Sequence, residues 1–514
     1  MFQHTASGAA HDSQERKPAP TCLRGTYDSL LTNLFDWVEN PGHHRIFWLH
    51  GRAGSGKSAL AQTVAEHCEQ KEKLAASFFF YRTKEDRSNA QRVFPTITYQ
   101  LTKSIPSTKP AIMKILRTDP SVLHQSPREQ LQKLIIHPLV TLAEPLSAPM
   151  IVIIDALDEC EDDKVLAELI SLVAEVLDDG IRIPLQFFFT GRPEKHLRDI
   201  FEDAKVKSKT RSLSLDHLDN QENVRVYLKG GFDDMLGRNW SQSTTLCNRY
   251  NTLVELVDGS FIYASTALRL ISENLGHNLS SDPLAIILTL PRGIDSLYKM
   301  ILSMHPYNDG ERVIIGTILL LRSHLSLEDI ATLLGLTEFQ IQDALRHFHS
   351  IFHVPDRVFH PVRIYHISLY DFLVNKPCSG DFINPKQHHA NIARSCLKLM
   401  TRDLKRDMNA VEDIGDEDED SENDSGEIHA AATGLQVDAL LYACCYWTYH
   451  LSESLAEDTT QLLDNVEEFA LTKALCWIEA LSINGMLESA EQSLVDAMKW
   501  LAVRFPYSQF QLPE

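Results

Sequence analysis

Short apolar runs alternate with helical stretches over residues 21–216. Such runs are typical of strands that are buried on both faces of a parallel sheet. The intervening stretches, such as Ser58–Glu69, place apolar residues at helical spacing. We therefore predict an α/β core in which helices flank a parallel sheet. The predicted strands are Arg45–Leu49, Ala75–Tyr81, Met150–Ile154, Pro184–Phe189 and a shorter candidate, Arg211–Leu215.

The pattern changes after residue 216. Residues 217–304 have helical periodicity and predict a helical domain. Residues 305–375 predict three helices followed by two strand-like runs, and this order suggests a winged-helix domain. Residues 376–514 again have helical apolar faces and predict a C-terminal all-α region.

Two segments lack the pattern of a folded element. Residues 1–20 are polar with scattered Pro and Gly, so we expect a disordered N-terminus. Residues 411–427 carry ten Asp or Glu among seventeen positions, which predicts a solvated, disordered insertion in the C-terminal region. A chain of 514 residues is long enough for about three or four domains.

The first predicted strand leads into a glycine-rich loop. The sequence Gly51-Arg52-Ala53-Gly54-Ser55-Gly56-Lys57-Ser58 fits the phosphate-binding pattern G-x-x-x-x-G-K-[ST], known as Walker A. Glycines allow backbone conformations in which successive N–H groups point inward and surround phosphates. Lys57 would reach the β- and γ-phosphates of a nucleotide, and the Ser58 hydroxyl would bind Mg²⁺. Because a strand precedes the loop and a helix follows it, the context is the one that the motif requires.

Three carboxylates follow the third predicted strand, in Asp155-Ala156-Leu157-Asp158-Glu159. Ligands of open parallel sheets bind beyond the carboxyl ends of the strands, so we expect these residues beside the glycine-rich loop. Asp155 would hold Mg²⁺, as a Walker B aspartate does. Asp158 or Glu159 would orient and deprotonate an attacking water. The alternative is that Asp158 and Glu159 only cap the helix that follows.

The fourth predicted strand also ends in polar residues, Thr190-Gly191-Arg192-Pro193. If this strand lies beside the other two, Arg192 would contact the γ-phosphate. The alternative is a surface arginine that happens to follow a strand.

Composition and charge narrow the range of functions. With 44% hydrophobic and 23% charged residues, the chain is ordinary globular material. A formal charge of −21 argues against a nucleic-acid duplex or an anionic membrane as a general partner, because both require basic patches. No uncharged apolar run approaches about 18 residues, so we predict no membrane span. The nine cysteines show no C-x-x-C spacing and the N-terminus has no signal-peptide pattern, which indicates a reducing, cytoplasmic location.

The arrangement resembles a known family, the fungal NACHT-type members of the STAND class of P-loop NTPases. That class is related to the nucleotide-binding immune receptors of animals and plants. The resemblance covers nearly the whole chain from Cys22 onward. It is carried by Phe47–Gly51, Ser77–Phe80, Asp155–Cys160, Thr190–Pro193, Leu290–Tyr298 and His366–Leu373.

The resemblance implies roles for the residues that match the NTPase motifs. Lys57 and Ser58 bind phosphates and Mg²⁺, and Asp155 holds the metal. Asp158 and Glu159 supply the catalytic carboxylate pair.

Two further positions follow from the resemblance. Arg192 stands at the sensor position. His366 stands where relatives place a winged-helix histidine that touches the β-phosphate of bound ADP and so locks a closed form. The sequence departs from the family at Gly259-Ser260-Phe261, where many relatives have Gly-x-Pro against the adenine.

These features predict a slow, Mg²⁺-dependent ATPase that acts as a molecular switch between ADP and ATP forms, with a receptor-like role in innate immunity or self/non-self recognition. Relatives exchange ADP for ATP, open, oligomerise and signal, so we expect protein partners and a homo-oligomer on activation. One alternative is a non-hydrolysing, nucleotide-bound scaffold that acts by protein contact. It is motivated by the lack of an effector pattern before the NTPase and of a repeat array after it. A third hypothesis is a small-molecule phosphotransferase that uses the same loop.

Overall fold

The computed structural model describes residues 4–142, 146, 148–177, 183–275, 282–304, 308–355, 360–375, 382–406, 439–454 and 459–504. The chain divides into two compact units. The first comprises Met1–His305, Phe348–Ile351 and Tyr365–Phe372; the second comprises Pro306–His347, Phe352–Ile364 and Leu373–Glu514. The predicted acidic insertion, residues 411–427, lies outside the described residues.

A five-stranded parallel sheet forms the centre of the first unit. Its strands lie in the order β2-β3-β4-β1-β5, and all neighbouring pairs are parallel. The predicted α/β core is therefore confirmed. The carboxyl ends of all five strands meet at one edge, which is where the glycine-rich loop and the three carboxylates follow their strands. The strands are β1 Ile46–His50, β2 Leu74–Phe79, β3 Met150–Asp155, β4 Leu185–Gly191 and β5 Thr210–Ser214.

Helices pack on the sheet because the central strands are apolar on both faces. Phe47 and Trp48 are neighbours on β1, yet they belong to two different hydrophobic clusters, one for each face. A π-helix, Leu131–Ile136, joins two of the short helices. The helices of this part are α1 Asp28–Glu39, α2 Lys57–Gln70, α3 Glu85–Ser88, α4 Val93–Ser104, α5 Lys109–Thr118, α6 Pro127–Gln130, α7 His137–Val140, α8 Asp163–Val176, α9 Lys195–Glu202 and α10 Ala204–Lys207.

The N-terminal segment is ordered from residue 4 onward, which corrects the prediction of disorder over residues 1–20. Ala6 and Ala9 are fully buried in one of the two clusters. The Ala6 N–H donates to Thr96 Oγ1 at 2.9 Å, and the His11 N–H donates to Ser77 Oγ at 2.9 Å. Small side chains let this backbone approach the core closely, a feature that an overall polar composition does not reveal.

Five helices complete the described part of the first unit after β5, as the periodicity of residues 217–304 predicts. They are α11 Asn220–Leu236, α12 Thr244–Val257, α13 Phe261–Leu275, α14 Pro283–Ile287 and α15 Ile294–Met304.

The second unit is mainly helical. It contains three helices followed by a two-stranded antiparallel sheet, in the order that the sequence predicts for residues 305–375. The assignment of this segment as a winged helix remains a prediction. None of the described helices is long and apolar enough to cross a membrane. The elements are α16 Asp309–Leu320, α17 Leu327–Leu334, α18 Glu338–Leu345, β6 Phe352–His353, β7 Arg363–Ile364, α19 Ile367–Asn375 (which begins in the first unit), α20 Pro385–Asp403, α21 Ala439–Ser452, α22 Thr459–Thr472, α23 Ala474–Ile483 and α24 Leu487–Arg504.

Candidate functional site

The glycine-rich loop connects β1 to α2 and has the backbone conformation that its glycines allow. Gly54 and Gly56 have φ angles of 74° and 88°, in the left-handed region that side chains disfavour. Gly56 directly precedes α2, which begins at Lys57. The N-terminus of a 14-residue helix therefore points toward the loop, where its N–H groups and dipole favour a bound anion.

Lys57 folds over its own loop. Its Nζ donates to the carbonyl oxygens of Gly51 at 2.7 Å and of Arg52 at 2.9 Å. Burial lowers the pKa of Lys57, and the nearby carboxylates of Asp158 and Asp155 oppose this shift. The ammonium is thus held beside the loop by acceptors that an incoming phosphate can replace.

The side chain of Arg52 is directed elsewhere. Its Nη2 donates to the carbonyl oxygen of Asp258 at 3.1 Å, and its backbone N–H donates to Asp216 Oδ1 at 3.0 Å. Of the predicted loop residues, Arg52, Gly51 and Ser55 do not line the cavity described below.

Asp155 is at the end of β3 and is nearly inaccessible, with 3% of its surface exposed. The hydroxyls of Thr190 and Ser58 donate hydrogen bonds to its carboxylate. Burial raises the pKa of Asp155, while these two hydrogen bonds oppose the shift. The structure thereby joins the last residue of the loop to the end of β3, as the sequence predicts.

Asp158 and Glu159 follow in a short 3₁₀ turn, and both are buried. Glu159 Oε2 accepts the backbone N–H of Arg82 at 3.1 Å, and Arg82 Nη2 donates to the carbonyl oxygen of Asp158 at 2.9 Å. Burial, with a further contribution from Asp158, raises the pKa of Glu159 to about 8. Asp162, not this pair, caps α8, since its side chain accepts the N–H groups of Lys164 and Val165.

Arg192 lies at the end of β4 and binds two carboxylates. Its Nε is 2.9 Å from Asp158 Oδ2, and its Nη1 is 3.3 Å from Asp371 Oδ2. Burial by itself would lower the pKa of Arg192, but Asp158, Asp371 and Glu159 outweigh it and raise the value. The side chain is 22% exposed, which separates it from an ordinary surface arginine.

His366 reaches the same region from the short segment before α19. Its Nδ1 accepts the backbone N–H of Ser368 at 3.1 Å, so the ring proton of the neutral form is on Nε2. Burial, together with Arg192, Lys57 and Arg269, lowers the pKa of His366 to about 3. The ring is therefore a neutral imidazole with one N–H donor at physiological pH.

These side chains surround a cavity of about 540 Å³ in the first unit. Asp155 lies behind the wall rather than on it. Ala53, Gly54 and Gly56 of the loop also line the cavity. Six predicted side chains are on its wall: Lys57, Ser58, Asp158, Glu159, Arg192 and His366.

The Gly259-Ser260-Phe261 segment contacts the loop although it lacks the expected proline. The Phe261 N–H donates to the Gly54 carbonyl oxygen at 2.9 Å. The rings of Phe261 and Tyr27 are 5.6 Å apart, and both line the cavity together with Ile262. Aromatic and apolar side chains therefore line the cavity beside the glycine-rich loop, in addition to the charged groups.

Sequence reasoning missed four residues of the site. The Tyr27 hydroxyl donates to the Ser55 carbonyl oxygen at 2.7 Å. Arg269 lines the cavity with its guanidinium 3.6 Å above the Tyr365 ring. Arg82 contacts Asp158 and Glu159. Asp371 contacts Arg192. Only Asp371 carried a signal, since it lies inside the matched segment His366–Leu373.

The chain is similar to several known proteins in sequence and in structure. Residues 25–192 match the family model described as the N-terminal region of nephrocystin 3. The vegetative incompatibility protein HET-E-1 of Podospora anserina is 21% identical over 496 residues, which cover 90% of this chain. These matches confirm the predicted resemblance to the fungal STAND class of P-loop NTPases. The chain spans 35% of the length of HET-E-1.

Two solved structures are similar to this chain over much of its length. One is a STAND protein with a tetratricopeptide repeat sensor from Pyrococcus horikoshii, with a TM-score of 0.42 and 13% identity. The match covers 97% of this chain and 60% of that one. The other is the ORC1 protein of Aeropyrum pernix, solved in complex with DNA, with a TM-score of 0.35 and 14% identity over 72% of this chain and 97% of that one.

Proposed function

We propose that the chain binds ATP and ADP in this cavity, hydrolyses ATP slowly with Mg²⁺, and uses the bound nucleotide as a switch. The observation that carries the proposal is the convergence of six predicted side chains on one cavity wall. Motifs that are far apart in the chain supply these groups, and they match the parts required for phosphoryl transfer.

The loop end of the cavity suits phosphates. The left-handed glycines, the start of α2 and the Lys57 ammonium all favour anionic oxygen. Lys57 would exchange its bonds to the loop carbonyls for bonds to the β- and γ-phosphates.

Ser58 and Asp155 suit Mg²⁺. A hydroxyl and a carboxylate are hard oxygen donors, which Mg²⁺ prefers. Mg²⁺ would take its remaining ligands from phosphates and water. When bound, Mg²⁺ would neutralise charge on the phosphate oxygens.

Glu159 is the candidate base. In hydrolysis, a water oxygen bonds to the γ-phosphorus while the bond from that phosphorus to the bridging oxygen breaks. Glu159 takes the water proton, and ADP and inorganic phosphate leave. Asp158 positions Arg192, which would contact the γ-phosphate.

His366 is the candidate residue for holding ADP in the resting state. Its Nε2–H is a neutral donor on the cavity wall and would bind the β-phosphate of ADP. The segment Tyr365–Phe372 would then stay in place with ADP and be released with ATP. The name of HET-E-1 supports a role in self/non-self recognition, and oligomerisation and protein partners belong to the same proposal.

The direct experiment measures phosphate release by the purified chain with Mg²⁺ and ATP. Wild type should release phosphate slowly and continuously. Lys57→Ala should bind nucleotide about a hundredfold or more weakly, because charge-assisted hydrogen bonds to phosphate are lost. Lys207→Ala is the matched control, since Lys207 is 62% exposed and pairs only with Glu202 among the described contacts. Equal affinity of Lys57→Ala and wild type would refute the site.

A non-hydrolysing scaffold is the second candidate, and one observation favours it. With a pKa of about 8, Glu159 is mainly protonated at neutral pH and is a poor base there. Nucleotide binding without phosphate release at any pH between 6 and 9 would support the scaffold.

A further inference from the structure

Asp371 joins the two arginines that contact the carboxylate pair. Its Oδ1 is 3.3 Å from Arg82 Nη1, and its Oδ2 is 3.3 Å from Arg192 Nη1. Asp371 lies on α19, five residues after His366, and its side chain is 18% exposed. One carboxylate therefore holds two guanidinium groups that come from the ends of two different strands.

Each arginine continues to one member of the carboxylate pair. Arg192 binds the Asp158 carboxylate through Nε and its backbone N–H, both at 2.9 Å. Arg82 binds Glu159 through its backbone N–H and the Asp158 carbonyl oxygen through Nη2. Asp371 thus controls, through two arginines, the surroundings of both candidate catalytic carboxylates.

The charges of this network balance without a nucleotide. Two guanidinium groups face two carboxylates, Asp158 and Asp371, and all four are at least two-thirds buried. Truncating one partner of such a group leaves a desolvated charge, which is strongly unfavourable. Release of Arg192 from Asp371 is therefore most favourable when another anion, such as a phosphate, replaces the carboxylate.

We propose that Asp371 is a positioning residue that competes with the third phosphate for Arg192, which lines the cavity. The proposal rests on the proposed nucleotide switch and assigns a regulatory group within it. With ADP, Asp371 supplies the anion that both arginines need. With ATP, the γ-phosphate takes Arg192 and Asp371 keeps Arg82, so one of the two ion pairs that hold α19 is lost. Asp371 therefore sets how strongly the chain prefers ADP over ATP.

The test compares the dissociation constants of ADP and of a non-hydrolysable ATP analogue in the full-length chain. Asp371→Asn keeps the shape and removes the charge. The ratio of the ADP constant to the ATP-analogue constant should rise by about tenfold, since the competitor for the γ-phosphate is gone. ADP release measured by stopped flow should accelerate by a similar factor. A purely structural role would weaken both nucleotides equally and leave the ratio unchanged.

Three variants complete the design. Asp371→Glu retains the charge and should stay within about threefold of wild type. Glu175→Gln removes a comparable arginine–carboxylate pair, with Arg128 at 2.8 Å, on the exposed surface, and should leave the ratio unchanged. If Asp371→Asn does not fold, Arg82→Gln tests the same network. It keeps the N–H that binds Glu159 but leaves Arg192 as the guanidinium partner of Asp371 among the described contacts, so the ratio should fall.

The outcomes separate the two proposals. One outcome is that the two variants bind both nucleotides normally, with a ratio of dissociation constants within twofold of wild type in Asp371→Asn and in Arg82→Gln. That result overturns the role of Asp371 and leaves the proposed function standing. Failure of the wild-type chain to bind either nucleotide overturns the proposed function and the role of Asp371 with it.

Discussion

At the scale of a single residue, Glu159 shows how burial changes the pKa of a carboxyl group and so its ability to act as a base. A carboxyl group that is removed from water and placed beside Asp158 holds its proton to about pH 8. The same group must lose that proton to act as a base. With Glu159 as the base of the proposed ATPase, this raised pKa predicts slow turnover at neutral pH and a rate that increases with pH.

The first prediction concerns turnover. Between pH 6 and 9 the wild-type rate should rise as Glu159 ionises, with its midpoint near pH 8, and it should level off above that range. Glu159→Gln should still bind nucleotide and should lose about 10²–10⁴-fold in rate, the usual contribution of a general base. Phosphate release as a function of pH measures both effects. A rate that is equal in the variant and the wild type would assign the base to another residue.

The second prediction concerns stability. In the unfolded chain the Glu159 carboxyl ionises near its ordinary pKa of 4.5, whereas in the folded chain it ionises near 8. Between these values the folded state binds the extra proton, so stability falls as pH rises from 4.5 through 8. Glu159→Gln has no carboxyl group to ionise at this position, so the variant does not lose this stability as the pH rises. Its free energy of unfolding relative to wild type should rise from pH 5 to pH 9 by an amount on the order of a few kcal/mol, which urea unfolding at each pH measures.

Glu175→Gln is the matched control for that measurement. Arg128 lowers the pKa of Glu175 through an exposed hydrogen-bonded pair. Loss of this carboxylate should therefore produce no gain in stability at alkaline pH. A Glu159→Gln difference that is constant with pH would contradict the assigned pKa.

At the scale of elements, the contact between the loop and α13 couples the phosphate end of the cavity to the helical part of the first unit. The first residues of α13 lie directly on the loop, where Phe261 binds the Gly54 carbonyl. A Cβ on Gly54 would lie 2.2 Å from Ile262 Cγ2. The loop can therefore neither take a side chain nor move without displacing the start of α13.

The third prediction tests this contact with Gly54→Ala. The variant has to place a side chain at φ 74° and must also displace Ile262. Gly42→Ala is the control, because Gly42 has φ 60° and no heavy atom within 4 Å of the added Cβ. The control should lose about 1–2 kcal/mol of unfolding free energy from the backbone conformation alone. Gly54→Ala should lose more and should also bind nucleotide more weakly. Equal losses in urea unfolding would show that the contact does not constrain the loop.

At the scale of the whole molecule, the sequence predicts features that depend on local pattern. Continuous apolar runs identify β1 and β3, and residue spacing identifies the loop. Contacts between distant residues leave no such pattern. The Tyr27 hydroxyl binds a carbonyl 28 residues away, and Arg82 binds Asp371 across 289 residues. Burial of Ala6 likewise depends on a surface that composition does not describe.

The switch requires that these distant groups respond to one ligand. Groups from the loop, β3, β4 and the segment before α19 face the same cavity, so a single nucleotide would contact all of them. Whether the cavity holds a nucleotide is therefore the central question for the molecule.

The most direct test is the nucleotide content of the purified chain, released by denaturation and quantified by ion-exchange chromatography. We predict about one bound nucleoside diphosphate per wild-type chain and none in Lys57→Ala. A wild-type chain that carries no nucleotide, and whose melting temperature is unchanged by added Mg²⁺ with ADP or ATP, would contradict the account.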